Sequence, residues 1–180
     1  MSRGLRLRLF GLLVVAGACI WLGTAVSTAG SEGDRVAAPL PSGLEIGERS
    51  CPLPRRFRPA FELAAQDTGL PLALLVSVAQ VESSLRAQAR SDAGARGLLQ
   101  VMPATARELA LDPNEPSSNV LAGARYLRLM LNRFRSTDLA LAAYNAGPTA
   151  VAKAGGAPSA ETLTYVANVT RHWRRLQGCS

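Results

Sequence analysis

The chain has 180 residues, of which 48% are hydrophobic and 18% charged, enough apolar material for one domain's core and too much for a disordered protein. Aromatic residues are only 5%, against abundant Ala and Leu, which points to helices packed through small side chains and away from a β-sandwich. The net charge of +7 suits an anionic polymer or wall surface. Its arginines are scattered, however, and nucleic acid is not an expected partner.

The first 29 residues read as an export leader. Arg3, Arg6 and Arg8 precede an uncharged run, Leu9–Val26, and Ser27-Thr28-Ala29 fits a small-x-small cleavage site. Two alternatives stay open. Residues 9–26 are close to the minimum for a membrane span, so the leader could be kept as an anchor. Cys19 follows Ala16-Gly17-Ala18, a degenerate lipidation site. Each option puts the body outside the cytoplasm, in the periplasm or cell envelope. Residues 30–50 hold Gly30, Gly33, Pro39, Pro41, Gly43 and Gly47 with no periodicity and read as a linker. The folded domain is expected over residues 51–180.

Within it the pattern is helical. A short helix is predicted over Pro59–Thr68, with Gly69 as its stop. Pro71 opens a second, running to about Arg86, whose apolar positions leave little polar face and mark it as the buried central helix. Ala89–Gly97 reads as a loop and Ala104–Leu111 as a short helix. Ser118–Phe134 is a long helix, with Val120, Ala124, Leu127 and Leu131 on one stripe. Asp138–Tyr144 is short and ends at Asn145-Ala146-Gly147-Pro148, and Thr149–Ala154 adds a turn. The last helix covers about Ala160–Leu176. No hairpin signal is strong, so the class is mainly α with at most a minor β loop. Cys51 and Cys179 bracket the domain; in an oxidising compartment they are expected to pair, stabilising the fold by about 4–5 kcal/mol in the chain-entropy model, the alternative being two free thiols.

Glu82 is out of place chemically. Leu75, Val78 and Ala79 lie seven, four and three residues before it, on the same helical face. A carboxyl at the end of an apolar stripe is disfavoured as an anion, so its pKa should rise, as a general acid near neutral pH requires. The plainer alternative is a helix-end glutamate paired with Arg86, its i+4 neighbour.

Glu82 also begins a series of blocks. Val81-Glu82-Ser83-Ser84 leads through Ser91 and Gly94 to Gly97-Leu98-Leu99-Gln100-Val101-Met102-Pro103. Ala142-Ala143-Tyr144-Asn145-Ala146-Gly147-Pro148 follows, then Glu161-Thr162-Leu163-Thr164-Tyr165-Val166. In this order and spacing the four blocks resemble the soluble lytic transglycosylase catalytic domain over about residues 57–172. The resemblance implies a lysozyme-like fold of the α+β superfamily, a single helical domain with a groove for a peptidoglycan glycan strand. It implies cleavage of the β-1,4 bond between N-acetylmuramic acid and N-acetylglucosamine, with a 1,6-anhydromuramyl product. Glu82 would be the single catalytic acid/base, where most glycoside hydrolases use two carboxylates. Ser91, Gln100, Met102, Tyr144, Asn145, Glu161 and Tyr165 would bind substrate or shape the groove, with Tyr165 hydrogen-bonded near the glutamate. No cofactor or metal is implied, and His172 is the only histidine. The domain is minimal, similar in this to small transglycosylases that accompany secretion or conjugation machinery, so such machinery is an expected partner class.

Two rivals remain. A hydrolytic muramidase on the same fold would need a positioned water and a second carboxylate, for which Asp92 and Asp112 are the candidates. A glycan-binding assembly protein would keep the groove without turnover.

Overall fold

A computed structural model describes residues 50–179. The leader of residues 1–29, Cys19 and the linker, apart from Ser50, lie outside the described residues. Seven helices follow one another: α1 (Arg58–Thr68), α2 (Leu72–Ser83), α3 (Pro103–Glu108), α4 (Pro116–Phe134), α5 (Thr137–Ala146), α6 (Pro148–Ala154) and α7 (Ala160–Arg175). The mainly helical class expected from the pattern is what forms. The only strand-like pairings among the described residues are single antiparallel bridges, Arg90 with Arg96 and Arg96 with Val101, in the loop between α2 and α3.

Local chemistry explains where the helices begin and stop. Pro59 and Pro116 stand in the first turns of α1 and α4, where a missing N–H leaves nothing unpaired. The Glu115 carboxylate caps α4 by accepting the Ser117 and Ser118 N–H groups at 3.0 and 2.6 Å. Ser136 and Ser159 cap α5 and α7 in the same way. Gly69 (φ 63°) ends α1 in the left-handed conformation that costs glycine little.

α2 is the central element. Every residue from Ala73 to Ala79 is buried, which accounts for its nearly unbroken apolar run. It packs on α1 and α7, while α4 packs on α1 and α5. The small residues Ala122, Gly123 and Ala124 on α4 and Ala140, Ala142 and Ala143 on α5 are all buried, so these two helices contribute little side-chain bulk to the core. A disulfide joins Cys51 to Cys179, tying the segment before α1 to the end of α7.

Several boundaries depart from the pattern, α3 ending at Glu108 rather than Leu111 and α4 beginning at Pro116 rather than Ser118 among them. α2 stops at Ser83, not near Arg86, because Ser84 and Leu85 take φ values of 51° and 59°. The Ser84 and Leu85 N–H groups then close on the Gln80 and Ala79 carbonyls at 3.1 and 3.3 Å. α5 runs on through Ala146, and α6 is a full short helix rather than a turn.

Candidate active site

The early end of α2 decides the setting of Glu82. With the helix closed at Ser83, Arg86 leaves the i+4 position and its Nε donates to the Ser83 carbonyl at 3.0 Å. The pairing of Glu82 with Arg86 weighed from sequence therefore does not form. The carboxylate instead accepts one hydrogen bond, from the Tyr165 hydroxyl of α7 to Oε1 at 2.7 Å. Burial pushes the Glu82 pKa up to about 7, and the tyrosine bond offsets only part of that rise. Two tyrosines sense the charge in return. Burial first, then Glu82, raises the pKa of both Tyr144 and Tyr165 well above the ordinary value. Neither ionises near neutral pH, so Tyr165 stays a donor.

Six of the residues singled out in the sequence, Gln100, Met102, Tyr144, Asn145, Glu161 and Tyr165, line two adjoining cavities. One, of about 270 Å³, is lined by Gln100, Met102, Tyr126, Tyr144 and Asn145 among others. The second, of about 440 Å³, is lined by Asn145, Glu161, Thr164, Tyr165 and Asn168 among others. Asn145, at the end of α5, borders both. Tyr165 joins the second cavity to the Glu82 carboxyl. Met102, which lines the first cavity, is exposed.

Gln100 and Ser91 are used differently from what their side-chain chemistry suggests. The Gln100 amide nitrogen donates to the Ala89 and Gly97 carbonyls at 3.2 and 2.9 Å. Both partners are acceptors, so the nitrogen is fixed on that side and only the amide oxygen is left for a ligand. Ser91 is exposed, and its Oγ accepts the Ala95 N–H at 3.0 Å, closing its own turn. It lines neither cavity. Of the two rival carboxylates, Asp92 is exposed, and Asp112 accepts the Asn114 N–H and Nδ2 groups, both at 2.9 Å. Those bonds to Asn114 hold the Asp112 pKa below the usual carboxylate value.

Two functional neighbours were not found by sequence reasoning. Asn119, buried on α4, accepts the Leu99 N–H at 2.9 Å and donates to the Arg96 and Pro113 carbonyls at 2.7 and 2.9 Å. A lone amide in the apolar stripe beside Val120 is the signal that could have revealed it. Tyr126 stacks at a tilt on Tyr144, ring centroids 5.4 Å apart, and walls the first cavity. Its spacing on α4 reads as ordinary core, so nothing local marks it. Among the described residues, no group of three or more His, Cys, Asp or Glu is placed to hold a metal ion.

Comparisons with known proteins agree on one family. The family model for the transglycosylase SLT domain matches residues 59–164. The chain is 38% identical over 108 residues to a transglycosylase of Enterobacteria phage PRD1, covering 59% of this chain and 39% of the phage protein. It is 28% identical over 142 residues to the soluble lytic murein transglycosylase of Escherichia coli, covering 64% of this chain and 22% of that protein. Among solved structures it resembles an inactive glutamate-to-glutamine mutant of the lytic transglycosylase Slt from Pseudomonas aeruginosa, with a TM-score of 0.59 and 28% identity over 68% of this chain and 25% of that one. The chain thus spans well under half the length of these relatives.

Proposed function

The chain belongs to the transglycosylase SLT domain family, and from that premise we propose that it is a peptidoglycan lytic transglycosylase in which Glu82 alone serves as acid and base. The observation that carries this reading is the state of the Glu82 carboxyl. It is half-buried, accepts a hydrogen bond from the Tyr165 hydroxyl alone among the described residues, and is brought to a pKa of about 7. Such a group is part protonated and part ionised near neutral pH, and so can give a proton and take one back within a single turnover.

In the first step the protonated Glu82 donates to the glycosidic oxygen as the C1–O bond of N-acetylmuramic acid breaks. Tyr165 holds Oε1, leaving Oε2 to carry the proton towards the substrate. Glu82, now a carboxylate, accepts the proton of the muramic C6 hydroxyl as that oxygen bonds to C1. The product is the 1,6-anhydro sugar, and Glu82 is again protonated. Because the nucleophile belongs to the same sugar ring, proximity does the work that hydrolases assign to a base-activated water. Asn145, Glu161 and Tyr165 on one side, and Gln100, Met102 and Tyr144 on the other, form the walls along which the glycan strand would lie. Ser91 belongs to the binding set only if its turn opens on substrate.

The reading places the protein in the envelope. The leader expected from Arg3, Arg6, Arg8 and Leu9–Val26 accords with it, as does the Cys51–Cys179 disulfide, a bond favoured outside the reducing cytoplasm. Secretion or conjugation machinery is the proposed partner class.

Incubating the purified chain with peptidoglycan sacculi and weighing the released muropeptides tests the assignment. Anhydromuramyl ends, lighter by one water than reducing ends, are the expected product. Reducing ends would replace the proposal with a hydrolytic muramidase and bring Asp92 back into consideration. No release from folded protein would favour the glycan-binding alternative.

A further inference from the structure

The loop between α2 and α3 is held in an unusual way at Leu98 and Leu99. Three side chains from three helices take the polar groups of two adjacent residues. Ser83 of α2 donates to the Leu98 carbonyl at 2.8 Å. Asn119 of α4 accepts the Leu99 N–H at 2.9 Å. Tyr144 of α5 donates to the Leu99 carbonyl at 2.7 Å. Leu98 and Leu99 themselves are almost wholly buried. The residue that follows, Gln100, has a φ of 45°, a conformation that a side chain with a Cβ rarely adopts and that persists only where its surroundings impose it.

The packing around this loop is built for the same grip. A Cβ on Gly97 would run into the Asn119 amide, and one on Gly123 would run into the Leu99 side chain and the Tyr144 hydroxyl. Glycine at both places is what lets the three side chains reach the loop.

We propose that Ser83, Asn119 and the Tyr144 hydroxyl are positioning residues that clamp the Leu98–Leu99 segment, and that this clamp holds Gln100 and Met102 as the fixed wall of the glycan cleft. The Tyr144 hydroxyl therefore serves the loop rather than the sugar, and that side chain meets a ligand through its ring. Gln100, its amide nitrogen held by Ala89 and Gly97, presents only an acceptor and selects a ligand N–H or O–H at that point. The clamp itself stands on the geometry alone; its effect on turnover rests on the transglycosylase reading.

Amide hydrogen exchange at Leu99, followed by NMR on the intact chain, tests the clamp without any need for turnover. Tyr144→Phe removes one hydroxyl and keeps the ring. It should speed Leu99 exchange by about 10-fold or more, the effect of losing one buried hydrogen bond, while the α1 and α7 amides keep their protection. Ser83→Ala should do the same, and Ser83→Thr should restore the slow exchange. On sacculi, Ser83→Ala should raise KM more than it lowers kcat and leave the pH profile unmoved, since the hydroxyl bonds to Leu98 and not to the Glu82 carboxyl. Unchanged Leu99 exchange in both Tyr144→Phe and Ser83→Ala would overturn the clamp. So would equal acceleration of every core amide, which would mark general destabilisation. If the wild-type chain releases no muropeptide, the exchange results still decide the clamp while the enzymatic reading fails by itself.

Discussion

Asp67 and Glu82 are both helical carboxylates within the last turns of consecutive helices, yet their surroundings are opposite. Asp67, near the end of α1, is exposed and gripped by Arg125 of α4, whose Nε and Nη2 donate to its two oxygens at 2.9 and 2.8 Å. Arg128, one turn further along α4, donates to the Thr68 and Gly69 carbonyls and closes the end of α1. The arginine bonds hold the Asp67 pKa below its usual value, so the group stays ionised across the physiological range. Glu82, near the end of α2, has no cation within bonding reach among the described residues and only one hydroxyl for company. Its pKa is moved the other way, to about 7. The difference is not in the side chain but in what the tertiary fold supplies: a guanidinium makes a fastening, and apolar burial makes an acid.

The largest test of this contrast is Glu82→Gln. It should cut muropeptide release from sacculi by about a thousandfold or more, within the range of acid–base catalysis, with the circular dichroism spectrum unchanged. Activity near that of the wild type would end the role given to Glu82. The pH profile comes next. Since the acid must start protonated, kcat/KM, read from the rate at limiting substrate, should fall about tenfold per pH unit above a limb near 7, the pKa of the free protein. A limb near 4.5, the ordinary glutamate value, would mean that burial does not set the pKa.

Stability gives a third, catalysis-free measure. A half-buried acid whose folded pKa is about 7 and whose unfolded pKa is near 4.5 binds more protons when folded. Its contribution to stability is therefore lost as pH rises from about 4.5 to 7, by roughly 3 kcal/mol in all. Glu82→Gln should remove that slope, leaving the variant the more stable of the two at pH 8 in urea titrations and no better at pH 4. Tyr165→Phe is a smaller change. It deletes the one contact that lowers the Glu82 pKa, so the alkaline limb should move upward, visible in the same rate profile. The smallest effect belongs to the other carboxylate. Asp67→Asn should lower Tm slightly at neutral pH and not at all in high salt, because the pair it breaks is exposed. With its pKa depressed, Asp67 contributes in full above the ordinary carboxylate value, and that contribution fades as pH falls below it through the folded pKa.

Much of this was legible in the chain itself, for local reasons. Pro59, Gly69 and Pro71 mark helix ends because their backbone preferences are intrinsic, and the apolar run from Leu72 to Ala79 announces a buried helix without any knowledge of its neighbours. The position of Glu82 at the end of that run already argued for a perturbed acid. The family blocks pointed to Gln100, Met102, Tyr144, Asn145, Glu161 and Tyr165, which do line two adjoining cavities.

What the chain could not state by itself was how polar groups distant in sequence pair off. Whether α2 would carry Arg86 beside Glu82 or stop three residues sooner depended on two consecutive left-handed residues, Ser84 and Leu85, neither a glycine. Whether Gln100 would face a ligand with its nitrogen or its oxygen depended on where the Ala89 and Gly97 carbonyls fell. Asn119 stands out in sequence only as a lone amide beside Val120, and its partners are set once the loop from Gly97 to Val101 folds against α4 and its three bonds form. Periodicity and backbone preference are written residue by residue, so sequence determined the helices and the family. Burial and hydrogen-bond partnership belong to pairs of elements far apart in the chain, so only the tertiary structure decided which carboxylate is an acid and which is a fastening.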